Sequence, residues 1–192
     1  MVSEEEVERI KEWQNGKSPG PYSLEIHPTS NCNLNCIMCG SYNKETEYIS
    51  LSHWLRALKS ASRMNVREVA VCGGGEPLFY QGGLQKIIEV IKDEGMEGSL
   101  TTNGTLLQED QIRKLVEIGW EQIIFSIDAP KASVHDEIRG REGTFAKILD
   151  NVKKINLWKD KLNKKNPRLD INMVLINKNY QLTRELIKFG PN

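Results

Sequence analysis

The 192-residue sequence predicts an α/β fold of about five βα units with parallel strands. Three observations carry this reading. Short apolar runs alternate with segments whose apolar residues recur at helical spacing. The runs are close to continuously apolar, as the strands of a covered parallel sheet must be. Each run ends in polar or glycine-rich punctuation: HPTSNC, CGGGEP, TTNG, SIDAP and INKN. Parallel strands joined by right-handed helical crossovers close into a barrel or stay open. In either case sites form at the carboxyl ends of the strands.

The elements follow in order. Ser3 and Glu6 make a capping box, and Val7, Ile10 and Trp13 after them predict a leader helix. NGKSPGP, residues 15–21, is a breaker-rich connector, so residues 1–21 form a lead-in and residues 22–192 the domain proper. YSLEIHP reads as the first strand. Leu51, Trp54, Leu55, Leu58 and Ala61 mark the first crossover helix. EVAVCGGGEP is a strand running into glycines, followed by a helix marked by Leu84, Ile87, Ile88 and Ile91. GSLTTNG is a short strand with a turn, and Ile112, Leu115 and Val116 form the next stripe. EQIIFSIDAP is the fourth strand. Phe145, Ile148, Leu149, Val152 and Ile155 form a long helical stripe. LDINMVLIN is the fifth strand, and LTRELIKF opens a fifth helix.

Composition narrows the class. Lys plus Arg and Asp plus Glu both number 26, so the balanced charge gives no support for a nucleic-acid partner. No window approaches the ~20 apolar residues that span a bilayer, and the acid-rich start does not resemble a secretory signal. A cytoplasmic location is expected, and there clustered cysteines read as metal ligands rather than as disulfides.

Three of the four cysteines, Cys32, Cys36 and Cys39, fall in CNLNCIMCG directly after the first strand. Structural zinc prefers four ligands in paired knuckles, and neither a second knuckle nor a suitably spaced histidine is present. Three thiolates suit a four-iron cubane with one iron left without a protein ligand, free to bind another molecule. A metal module without catalysis, holding zinc or an iron–sulfur cluster, stays open as the alternative, as does a truncated scaffold. Cys72, beside the glycines, reads as a small buried thiol. His27, His53 and His135 are dispersed, and the basic run KKINLWKDKLNKKNPR reads as a solvated face.

CNLNCIMC, with Met38 before the last cysteine, resembles the cysteine loop of the radical S-adenosylmethionine superfamily. It is most similar to the branch holding molybdopterin-precursor cyclases, quinone-cofactor synthesis enzymes and peptide-modifying enzymes with a cysteine-rich C-terminal extension. The resemblance spans Tyr22 to about Asn179 and implies a partial TIM-like (β/α)6 barrel. It also implies a [4Fe–4S] cluster on Cys32, Cys36 and Cys39, with S-adenosylmethionine on the open iron. By the same resemblance, Gly74, Gly75 and Glu76 hold the amino group of the methionine moiety, which suits glycine's close approach and a carboxylate's attraction for ammonium. Ser126 and Asp128 reach the ribose and the methionine carboxylate. Thr102 and Asn103 lie at the end of strand three. Arg139 meets the cofactor carboxylate, with Arg141 as its rival; Leu175 on strand five packs on adenine, and the backbone of Met38 meets the adenine edge.

The implied reaction is reductive cleavage of S-adenosylmethionine to a 5′-deoxyadenosyl radical, which takes a hydrogen atom from a substrate, a peptide or small-molecule precursor. No catalytic proton-transfer residue is implied. An external one-electron donor of flavodoxin or ferredoxin type is. A six-unit core would be cut before its sixth strand at KFGPN, so the resemblance leaves the edge of strand five to a partner chain or a swapped copy. A basic residue ahead of the cysteine loop and an arginine before the glycines, which mark guanosine-triphosphate cyclases, are absent from LEIHPTSNC and VAVCGGGEP.

Overall fold

A computed structural model describes residues 3–40, 49–80 and 83–189; residues 1–2 and 190–192, at the outer ends of the two predicted segments, lie outside the described residues. Five parallel strands pair in sequence order: β1 (Ser23–Ile26), β2 (Glu68–Val71), β3 (Glu97–Thr102), β4 (Gln122–Ser126) and β5 (Arg168–Asn172). Between them run α2 (Leu51–Arg63), α3 (Leu84–Asp93), α4 (Glu109–Glu117), then α5 (Ala132–Arg139) with α6 (Thr144–Lys161), while α1 (Glu4–Gln14) leads in and α7 (Thr183–Phe189) follows β5. This is the expected α/β architecture, a parallel sheet of the partial TIM-like kind.

Register explains the division of labour between the two faces of the sheet. Ile26, Val71, Leu100, Ile123 and Leu169 pair in one row across all five strands. Its first four members join Leu58, Ile87, Ile91, Ile112, Val116, Ile148 and Ile155 from the helices in one buried cluster, and partly buried Leu169 packs against it. Side chains alternate along a strand, so Glu25, Ala70, Ser99 and Gln122 form the neighbouring row on the opposite face. That face is polar, and it carries the site.

Three elements differ from the sequence reading. The Val7, Ile10 and Trp13 stripe of α1 is exposed, and Arg9 is the buried residue of this helix. Its guanidinium donates to Pro21 O (3.0 Å) and Asn65 O (2.7 Å), so hydrogen bonds from Arg9 dock the helix rather than the apolar stripe that marked it. The capping box of Ser3 and Glu6 is formed. Helix α5 occupies a run to which the sequence reading gave no element; His135, Ile138 and Arg139 are its buried side. Strand β5 ends at Asn172, well short of the expected LDINMVLIN. Side chains capture the backbone beyond it: Asp128 Oδ1 accepts from Val174 N (3.0 Å), and Asn179 Nδ2 donates to Val174 O (2.8 Å).

Candidate functional site

The cysteine loop after β1 has no regular secondary structure of its own, and three other segments hold it. On one side Gly75 N donates to Thr29 O (3.1 Å) and Glu76 N to Asn31 O (2.9 Å). A Cβ on Gly75 would stand 2.1 Å from Asn31 O, so only glycine allows this approach. On another side Ile37 N donates to Ile138 O (3.0 Å), and Gly140, at φ +68°, ends α5 with its Cα against the carbonyl of Asn35. The third clamp is polar: Asn103 Nδ2 donates to Asn33 Oδ1 (3.0 Å), and Asn33 Nδ2 to Thr105 Oγ1 (2.8 Å). Buried Leu34 anchors the loop between them.

These segments surround a cavity of about 500 Å³ at the carboxyl ends of the strands. Cys32, Cys36, Met38 and Cys39 form one wall, and Gly73 to Glu76 form another. Thr102, Asn103, Ser126 and Arg139 complete the deeper part, so most of the residues singled out in the sequence share one chamber. Cys32 and Cys36 are half-buried and Cys39 is exposed. Burial raises the Cys32 and Cys36 thiols above the ordinary range; at Cys36 the nearby Arg139 guanidinium works against that rise. Arg139 Nη1 lies 3.8 Å from Cys36 Sγ, and Asn103 Nδ2 lies 3.9 Å from Cys32 Sγ.

Glu76 is 2% exposed, and its oxygens are taken by the protein itself. They accept from Thr102 Oγ1 (2.6 Å), Leu78 N (3.1 Å) and Asn103 N (2.7 Å). Burial raises its carboxyl above the ordinary range in spite of those donors. Glu76 therefore ties the end of β2 to the end of β3 and leaves the glycine backbone facing the cavity.

Two of the expected residues are placed otherwise. Leu175 is three residues beyond β5, 59% exposed and outside the chamber; Val174 lines it instead. Asp128 is fully buried and serves the fold: it accepts from Val174 N and faces Arg139 Nε at 2.7 Å. That contact is an ion pair without hydrogen-bond geometry, because neither Asp128 Oδ2 nor Arg139 Nε makes a hydrogen bond, even to the other. Arg139 is 8% exposed and lines the chamber, while its rival Arg141 is exposed and reaches Asn33 O at 3.4 Å.

The sequence reading passed over two features here. His135 is completely buried; its Nδ1 accepts from Asp128 N (3.2 Å), which puts the proton on Nε2, where it finds no partner. Burial, with the charge of Arg139, drives its pKa down to about 4. Glu25, His27 and Cys72 also converge on the polar face, their donor atoms within 4.8 Å of one another. Burial and the adjacent Glu25 carboxylate push the Cys72 thiol up to about 12.

Three thiols without a carboxylate or imidazole among them, next to a guanidinium that offsets thiolate charge, form a donor set suited to an iron–sulfur cluster. The model of the radical S-adenosylmethionine superfamily matches residues 26–189. The chain belongs to that superfamily. Radical S-adenosylmethionine enzymes work with a [4Fe–4S] cluster and S-adenosylmethionine, and the chamber has residues for both. The cofactor-modifying protein of a tungsten-containing aldehyde ferredoxin oxidoreductase from Pyrococcus furiosus is 27% identical, over 88% of this chain and 48% of its own length. The GTP 3′,8-cyclase of Clostridium perfringens is 33% identical, over 68% of this chain and 42% of its own. Among solved structures, Streptococcus suis SuiB bound to S-adenosylmethionine superposes with a TM-score of 0.74 at 21% identity, covering 98% of this chain and 44% of that one. The chain thus spans about half the length of the relatives it matches. Among the described residues, no helix is long and apolar enough to cross a membrane.

Proposed function

We propose that this domain binds a [4Fe–4S] cluster through Cys32, Cys36 and Cys39 and S-adenosylmethionine in the adjoining chamber, and that it performs radical chemistry on a peptide or small-molecule precursor. The observation that carries the reading is that the cysteine loop and the glycine loop line one cavity at the strand ends. When bound, the two cofactors would supply reductive cleavage of a sulfonium and, through it, hydrogen-atom abstraction from a substrate carbon.

The chain's own residues orient and exclude. Gly73 to Gly75 line the chamber with backbone alone, which lets an ammonium group approach the main chain, while the Glu76 carboxylate, already satisfied, holds their loop in shape. Ser126 offers a hydroxyl on the chamber wall and Met38 an apolar surface. Arg139 sets a positive charge beside Cys36, which lessens the repulsion among three thiolates. Asp128 and His135 hold Arg139 and the start of the β4–α5 connection in place. A flavodoxin- or ferredoxin-type protein in a reducing cytoplasm is the proposed source of electrons, docking where exposed Cys39 comes nearest the surface.

Anaerobic iron and sulfide reconstitution, followed by dithionite and S-adenosylmethionine, tests this. Release of 5′-deoxyadenosine, abolished in Cys36→Ala, is the expected result. A colourless zinc-loaded protein that forms no nucleoside would replace the reading with a non-catalytic metal module.

A further inference from the structure

Glu25 and His27 stand two residues apart at the end of β1, so both point to the polar face of the sheet. Cys72 N donates to Ile26 O (3.1 Å), which continues the β1–β2 ladder past Val71 and sets Cys72 beside His27 on that face. Opposite Glu25 is Ala70, whose methyl group leaves the space between the strands open. His27 Nε2 lies 2.7 Å from Glu25 Oε1, and the carboxylate, imidazole and thiol atoms all lie within 4.8 Å of one another. Among the described residues, His27 is the one basic side chain within ion-pair distance of Glu25. All three line the chamber that also contains Cys32, Cys36 and Cys39.

We propose that Glu25, His27 and Cys72 form a second metal site, for one divalent cation of zinc-like softness, with its remaining coordination position open to the chamber. The donor chemistry selects the ion. Magnesium and calcium take oxygen ligands, and a single carboxylate among a thiol and an imidazole does not serve them. Thiolate, imidazole and carboxylate are the three ligand types zinc uses, and three protein ligands with one vacant position is the pattern of zinc sites that act on a bound molecule. Bonds of about 2.0–2.3 Å draw the ligand atoms to roughly 3.5 Å from one another. Side-chain rotation suffices for this, because the His27 and Glu25 side chains are 52% and 63% exposed while their backbone is held by the strand. The open position would take a carbonyl or carboxylate oxygen of a molecule in the chamber and so fix that molecule relative to the cysteine loop. The proposal goes beyond the cofactor assignment, and its three ligands are distinct from the residues assigned to the cluster, although its test rests on loading that cluster.

The test uses the chain with its cluster loaded, so that Cys32, Cys36 and Cys39 are occupied. Equilibrium dialysis against zinc is expected to give one zinc per chain beyond the cluster. Glu25→Gln, His27→Ala and Cys72→Ser, each with unchanged circular dichroism, should each weaken that binding by about tenfold or more. Cobalt put in place of zinc gives an independent readout. Its X-ray absorption fine structure should show one sulfur at about 2.3 Å among nitrogen and oxygen neighbours, with the sulfur lost in Cys72→Ser. No zinc beyond the cluster, binding indifferent to all three substitutions, or a cobalt shell of several sulfurs would each overturn the proposal. The last would put the ion on the cysteine loop, and the first would leave Glu25, His27 and Cys72 as a hydrogen-bonded trio.

Discussion

Arg139 concentrates several demands in one side chain: it faces Asp128 Oδ2 at 2.7 Å, approaches Cys36 Sγ at 3.8 Å and adds its charge to the surroundings of His135. Removing it strands a fully buried carboxylate, and breaking such a pair costs about 3–5 kcal/mol. Arg139→Gln should therefore lower the urea midpoint. In cluster-loaded protein it should also move the reduction potential to a more negative value, because a cation that favours the added electron is gone; redox titration followed by electron paramagnetic resonance reads the shift. His135 makes a separate prediction. Its pKa of about 4 in the fold lies below the ordinary 6.5, so the unfolded chain binds the extra proton between those values. Its contribution is complete above pH 6.5 and fades as the pH falls toward 4, by up to about 3 kcal/mol. In urea unfolding across that window, His135→Asn should flatten the slope, since an amide oxygen can accept from Asp128 N without titrating.

Among the elements, the cysteine loop depends on its neighbours rather than on its own conformation. Gly75→Ala would drive a methyl group into the Asn31 carbonyl at 2.1 Å. The variant should take up less iron on reconstitution, as measured by iron per chain, while the far-ultraviolet dichroism of its helices is kept. Strand order and the long helices were legible from periodicity, because buried stripes such as Ile112, Leu115 and Val116 repeat at helical spacing. Helix α5 was not, since only Val134 and Ile138 mark its apolar side across eight residues; the stop at Gly140 was the available clue. The early end of β5 was hidden because Asp128, which captures its backbone at Val174, lies 46 residues earlier in the sequence. The cysteine triplet announced itself, but the nearness of Cys72 to His27 depends on strand register, which no single segment reveals.

For the molecule as a whole, a five-stranded sheet with β1 and β5 at its margins should be most rigid at its centre. Native-state hydrogen exchange is expected to protect Leu100 and Ile123 most and the amides of β1 and β5 least; uniform protection across the sheet would contradict this. The cysteine loop's clamps are spread along the chain in a way that bears on synthesis. Cys36 precedes its contact Arg139 by 103 residues. A growing polypeptide exposes its thiols to the cell long before the helix that closes over them exists. A maturation factor delivering iron and sulfide would thus have a finished pocket to fill only after translation has passed Gly140, and ribosome-bound chains stopped short of that point should retain little of what they are given.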